Sequence, residues 1–191
     1  SAATITLNTA ALIGSSSAPF YLDFQLIDGD GISNNAVTLS SFQFGSGGAI
    51  GSPIAVGGSS GTVGTSVSLT DPGFFNEFIQ QFTPGATLSF SFLTTSNFVS
   101  PTPDRFTFAI LNGSLVEVPT AGAGNELFGL DLMLPLTFET YAGVNNGVDP
   151  ILSAPQVTAS SPVPEPATAT LLVGGALLAV RRRFGRAARR R

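Results

Sequence analysis

Along most of the chain, apolar side chains recur at every second position, the period of a strand with one buried face. Phe20-Leu22-Phe24-Leu26 alternate with Tyr21-Asp23-Gln25, Leu88-Phe90-Phe92 with Ser89-Ser91, and Phe106-Phe108-Ile110 with Arg105-Thr107. Phe128-Leu130-Leu132-Leu134 alternate with Gly129-Asp131, and Leu136-Phe138 with Thr137-Glu139. Weaker runs at Thr4–Leu7, Val37–Phe44, Val63–Leu69, Leu115–Val118 and Gln156–Thr158 predict further strands. Asn112-Gly113 separates two runs and predicts a hairpin turn, because both residues tolerate positive φ.

Residues 74–82 fit two periods. Phe74-Phe75, Phe78-Ile79 and Phe82 would share a helical face, whereas Asn76-Phe78-Gln80-Phe82 would share a strand face. Asp71-Pro72 suits a helix start, and Pro84-Gly85 ends either element. The uniformly β surroundings favour the strand. About ten short strands with turns between them predict an all-β, two-sheet sandwich of jelly-roll type.

Two segments break the pattern. Gly45–Gly64 holds eight glycines and five serines or threonines, which predicts a flexible loop or edge hairpin. After residue 158 the chain becomes Ser/Pro-rich, then a run of apolar or small residues from Ala167 to Val180, then basic at Arg181-Arg182-Arg183. The expected organisation is therefore a sandwich at 1–158, a stalk at 159–166, a short transmembrane helix at 167–180 and a cytoplasmic tail at 181–191. The fourteen residues of the apolar run make about 21 Å of helix. That falls short of a hydrocarbon core of about 30 Å and suits a transient span. Arginine on the far side marks the cytoplasmic face and stops transfer.

Charge follows the same division. Residues 1–162 carry eleven acids and one base, Arg105, for a formal charge of −10. Seven arginines and Glu165 make the remainder +6. So acidic a body repels phosphate backbones, which excludes nucleic acid as an expected partner. Ser1-Ala2-Ala3 is a small-residue context like that around a signal-peptidase cut, so removal of a signal peptide is expected. Without cysteine, the body must be held by its core alone.

Val163-Pro164-Glu165-Pro166, the Gly174-Gly175-containing apolar run and the arginine cluster together resemble the PEP-CTERM sorting signal of Gram-negative bacteria. The arginine run is longer than that pattern and is interrupted by Phe184-Gly185. The resemblance implies recognition by an exosortase-like membrane enzyme, cleavage near Pro164–Pro166, and release or anchoring at the cell surface. The body is similar to small extracellular domains that precede this tail. The similarity lies at Phe20–Leu26, Phe74–Phe78, Phe82–Gly85 and Pro103–Phe106, and it implies fold and secretion but no activity.

Histidine and cysteine are absent, which removes Ser-His-Asp and Cys-His nucleophiles and the zinc sites built on those ligands. Paired carboxylates remain open to glycoside hydrolysis, yet nothing in their order singles out a pair. A non-enzymatic protein with no catalytic residue is the expectation. Asp28-Gly29-Asp30-Gly31, with Asn34-Asn35 behind it, is the one cluster of oxygen ligands along the chain. Asp28 and Asp30 are candidate calcium ligands, although the EF-hand spacing is missing. A plain Asp/Gly turn explains the same residues. Sixteen phenylalanines against two tyrosines and no tryptophan read as core before sugar-stacking platforms. The expected function is a secreted protein of the envelope or exopolysaccharide matrix. A glycan-binding module and a calcium-stabilised, self-assembling adhesive subunit are the alternatives.

Overall fold

The computed structural model describes residues 2–98 and 101–160. The Pro-Glu-Pro motif, the apolar run and the arginines lie outside the described residues. Among those described, no helix is long and apolar enough to cross a membrane.

The strands are β1 (Ala2–Asn8), β2 (Phe20–Ile27), β3 (Ala36–Gln43), β4 (Gly48–Ala49), β5 (Ile54–Val56), β6 (Gly58–Thr62) and β7 (Ser66–Thr70). They continue with β8 (Phe75–Thr83), β9 (Thr87–Thr94), β10 (Arg105–Leu111), β11 (Phe128–Asp131), β12 (Phe138–Thr140) and β13 (Gln156–Ala159). One sheet runs β13-β1-β9-β3-β7-β6 and the other β12-β11-β10-β2-β8-β4, with β5 also on β8. All pairings are antiparallel. Two antiparallel sheets with their apolar faces together form a β-sandwich.

The core is largely phenylalanine. Phe20, Phe24, Phe78, Phe90, Phe92, Phe106, Phe108 and Phe128 are fully buried. Phe24 stacks on Phe108 at 5.2 Å between ring centres, and Phe90 of the opposite sheet meets Phe108 edge-on at 5.2 Å. Such offset and edge contacts add to the gain from burial, which is about 1.5–3 kcal/mol per large side chain.

β3 shows how irregular patterning still fills a core. Val37 and Leu39 face inward, and a strict period of two would turn Phe42 and Phe44 outward. Ser41 adopts φ 56°, and the register with β9 slips between Ser40 and Gln43. That bulge resets the phase, so Phe42 and Phe44 also pack against the core.

β8 settles the ambiguous stretch as a strand whose inward face is Asn76-Phe78-Gln80-Phe82, leaving Phe74 and Phe75 exposed. Its two buried amides organise the glycine-rich segment. Asn76 Oδ1 accepts from Gly58 N–H at 2.8 Å, and Asn76 Nδ2 donates to Leu26 O and Gly73 O. Gln80 Oε1 accepts from Val63 N–H and Thr62 Oγ1, while its Nε2 donates to Gly51 O at 2.9 Å. Residues 45–64 thus form three edge strands, β4 and β5 on one sheet and β6 on the other, the edge alternative of the two expected and not the flexible loop. Glycine at 58 allows the approach, since a Cβ there would collide with the Thr70 carbonyl.

Four expectations need correction. Leu115–Val118 is no strand; one bridge joins Leu111 to Glu117, and Leu115 is exposed with φ 57°. The positive φ of that reversal falls on Leu115, not on Asn112-Gly113, because Asn112 Oδ1 instead caps the N–H groups of Ser114 and Val116. β11 ends at Asp131, which leaves Leu134 exposed. The boundary at 158 falls inside β13, where Ala159 pairs with Ala3 and Ser160 N–H donates to Ala2 O.

Candidate metal centre

Three connections meet at one end of the sandwich: residues 28–35 after β2, 71–74 after β7, and residues 95–98 and 101–104 between β9 and β10. Each carries an aspartate to the same place. Ligand oxygens of Asp28, Asp30 and Asp104 lie within 4.8 Å of one another. Two oxygens bound to one calcium at about 2.3–2.6 Å stand at most about 5 Å apart, so the cluster has the span a shared cation requires.

The loops pack tightly. A Cβ at Gly29 would overlap the Pro103 carbonyl, so glycine lets residues 28–31 lie against residues 102–103. Gly31, at φ 76°, completes the turn. Asp28 Oδ1 accepts from Gly31 N–H at 2.6 Å and Asp30 Oδ1 from Ile32 N–H at 2.8 Å, which are the side-chain turns expected of an Asp/Gly loop. Asp104 Oδ1 accepts from Gly29 N–H at 2.8 Å, and its Oδ2 from Asn35 Nδ2 at 2.7 Å. Turn-forming and clustering therefore coexist in the same carboxylates.

Asp71 joins from the rear. It is buried and takes the N–H groups of Asn35 and Asn34 at 3.0 and 3.3 Å. Burial pushes its carboxyl above the ordinary range; the two N–H groups pull it back, and a hydrogen bond with the Asp104 carboxyl pushes it up again. Asn35 is the hub of the arrangement. Its Nδ2 also reaches Asn34 Oδ1 and Asn97 O, and its Oδ1 accepts from Asn97 N–H and Thr95 Oγ1.

No base among the described residues offsets these acids. Arg105 is the body's one base, and it is held elsewhere by Glu126 at 2.6 Å, Glu139 at 2.7 Å and Asp131 at 2.8 Å. Burial pulls that guanidinium down, but the hydrogen bonds it donates to Glu139, Asp131 and Glu126 outweigh it and raise its proton affinity.

The sequence singled out Asp28 and Asp30, and the structure brings those two together. It also adds Asp104 as a third ligand and Asp71 as a neighbour of the cluster, neither of which sequence reasoning had found. Their signal was faint: each stands beside a proline at a strand boundary, in Asp71-Pro72 and Pro103-Asp104. Comparison with known protein families, with curated proteins and with solved structures gives no match to this chain.

Proposed function

We propose that the chain is a non-enzymatic secreted protein of the cell envelope or exopolysaccharide matrix, delivered by an exosortase-like system, whose loop end is stiffened by calcium. The observation that carries the calcium reading is the Asp28–Asp30–Asp104 cluster, with Asp71 behind it and no base among the described residues to offset it. Like charges brought out of water repel, and a divalent cation is the counter-charge that hard oxygen ligands favour. The tripartite tail from Val163 to Arg191 supports transient residence in the inner membrane and then release. The order β1-β9-β3-β7 facing β2-β8-β4 supports the jelly-roll form of the sandwich, with β10, β11 and β12 extending the second sheet.

Thermal melting of the full chain in calcium, in magnesium at equal ionic strength and in chelator tests the metal reading. Saturating calcium at about 100 times Kd adds about 2.7 kcal/mol, or roughly 5–10 °C in Tm. Asp30→Asn removes that gain while leaving the melt in chelator unchanged. Equal responses to the two ions retire the metal centre.

A further inference from the structure

Phenylalanine is the core residue of this chain, so its exceptions are informative. Among the described residues, Phe74, Phe75 and Phe98 are the exposed ones, at 72%, 40% and 44%. The others are buried or pack against the core. All three exceptions lie at the end of the sandwich that carries the aspartate corner. Asp28 N–H donates to Phe74 O at 3.0 Å, and Phe75 stands opposite Ile27, the residue before Asp28. Phe98 follows Asn97, whose N–H donates to Asn35 Oδ1 at 2.8 Å and whose Nδ2 donates to Asn34 O at 2.7 Å. Ile32, 45% exposed, adds an apolar side chain from the loop between Asp30 and Asn34.

Single exposed apolar residues are ordinary on a folded surface. Every exposed phenylalanine at one end, on connections that meet there, marks a contact surface instead. Area and charge limit what it meets. Three part-exposed rings of about 200 Å² each present roughly 300 Å². A stable protein interface takes about 800 Å² from each partner. A second copy would also bring a body of formal charge −10 against its like. A bilayer makes no such demand for area or matching shape. A few aromatic side chains sunk to the boundary of headgroups and acyl chains hold a protein at that interface.

The path of the chain points the same way. Ala159 pairs with Ala3, and Ser160 N–H donates to Ala2 O. Ala2 stands opposite Leu93, near the end of β9 from which the connection to Phe98 departs. The sandwich therefore releases its C-terminal segment from the end that bears the exposed phenylalanines, and that segment holds the apolar run Ala167–Val180. We propose that this end docks on a lipid bilayer by sinking Phe74, Phe75 and Phe98 into its interface, which keeps the processed body on the membrane surface. Its dependence on calcium rests on the metal reading above. Asp28, Asp30 and Asp104 beside the rings repel anionic headgroups until a divalent cation offsets them.

The chain has no tryptophan, so Phe74→Trp provides a single fluorescent reporter. Val148→Trp is the control. Val148 is also 72% exposed, but its carbonyl accepts from Ser17 Oγ, ahead of β2 and thus at the opposite end. Unlike sedimentation, emission from these positions is indifferent to whether the apolar run itself enters the vesicle. The full chain is mixed with phosphatidylethanolamine–phosphatidylglycerol vesicles whose acyl chains carry bromine. In calcium, Phe74→Trp emission moves to the blue and is quenched; chelator reverses both, and Val148→Trp shows neither. Adding Phe75→Ser and Phe98→Ser to Phe74→Trp weakens the quenching. Emission from Phe74→Trp that neither shifts nor is quenched overturns the proposal, as does equal quenching at the two positions. Melting in calcium without vesicles judges the metal centre separately. A Tm gain with no quenching at position 74 keeps that centre and sinks the docking. Quenching confined to position 74 that persists in chelator, with no Tm gain, supports the docking and retires the calcium.

Discussion

Replacing Asp23 by asparagine isolates the cost of a buried charge. Asp23 is 2% exposed, and burial, with the charges of Glu77 and Glu117 adding to it against the Gln25 hydrogen bond, pushes its carboxyl from 3.8 to about 7. Between those values the folded protein keeps a proton that the unfolded chain has released. Stability from this group is therefore fully present below about pH 4, falls as pH rises, and is gone above about pH 7. At about 1.4 kcal/mol per pH unit, the gap from 3.8 to about 7 is worth at most about 4 kcal/mol. The amide introduced by Asp23→Asn does not titrate. It has no partner where Oδ1 had none, a penalty of about 1–3 kcal/mol that is the same at every pH. The stability of Asp23→Asn minus that of the wild type should thus climb by up to about 4 kcal/mol between pH 4 and pH 8, changing sign on the way. Urea unfolding of both proteins across this range measures it. Glu77 titrates in both proteins and largely cancels in the difference. A difference that stays flat within about 1 kcal/mol, or that falls with pH, refutes the claim that Asp23 is charged at a desolvating cost.

Phe108→Ala removes the ring that stacks on Phe24 and meets Phe90, and should cost about 3–5 kcal/mol in chemical denaturation. Gln80→Ala unties Gly51, Thr62 and Val63 from β8; a loss of about 1–3 kcal/mol is expected, with faster hydrogen exchange at Val63 N–H and no change at Phe24. Mass spectrometry of the secreted protein should find a C-terminus near Pro164–Pro166, and Glu165→Ala should slow its appearance; stable product extending to Arg191 contradicts processing.

Strand identity and facing were legible in the sequence wherever alternation was clean. In β2, β9 and β10, the neighbours that bury one face follow from the pleat, and pleating is local. β8 fitted two periods and was read as a strand only from its β surroundings, although Asn76 and Gln80 do share the parity of Phe78 and Phe82. Length and composition sufficed for a cysteine-free, Phe-packed body and an acidic surface.

Tertiary structure decided what depends on residues far apart in the chain. The bulge at Ser41 exists because Phe42 and Phe44 gain a core supplied by β2, β8 and β9, a reward invisible to a window along β3. The glycine-rich segment becomes sheet edge through hydrogen bonds to Asn76 and Gln80, which compensate for its lack of apolar side chains. Asp28 announced itself by its glycines, but Asp71 and Asp104 acquire meaning only when antiparallel pairing brings three strand ends to one corner. Asp23 looked like an ordinary outward strand residue. It is a buried acid in the fold, and the extent of that burial, unlike the period of a strand, is set by what arrives from elsewhere.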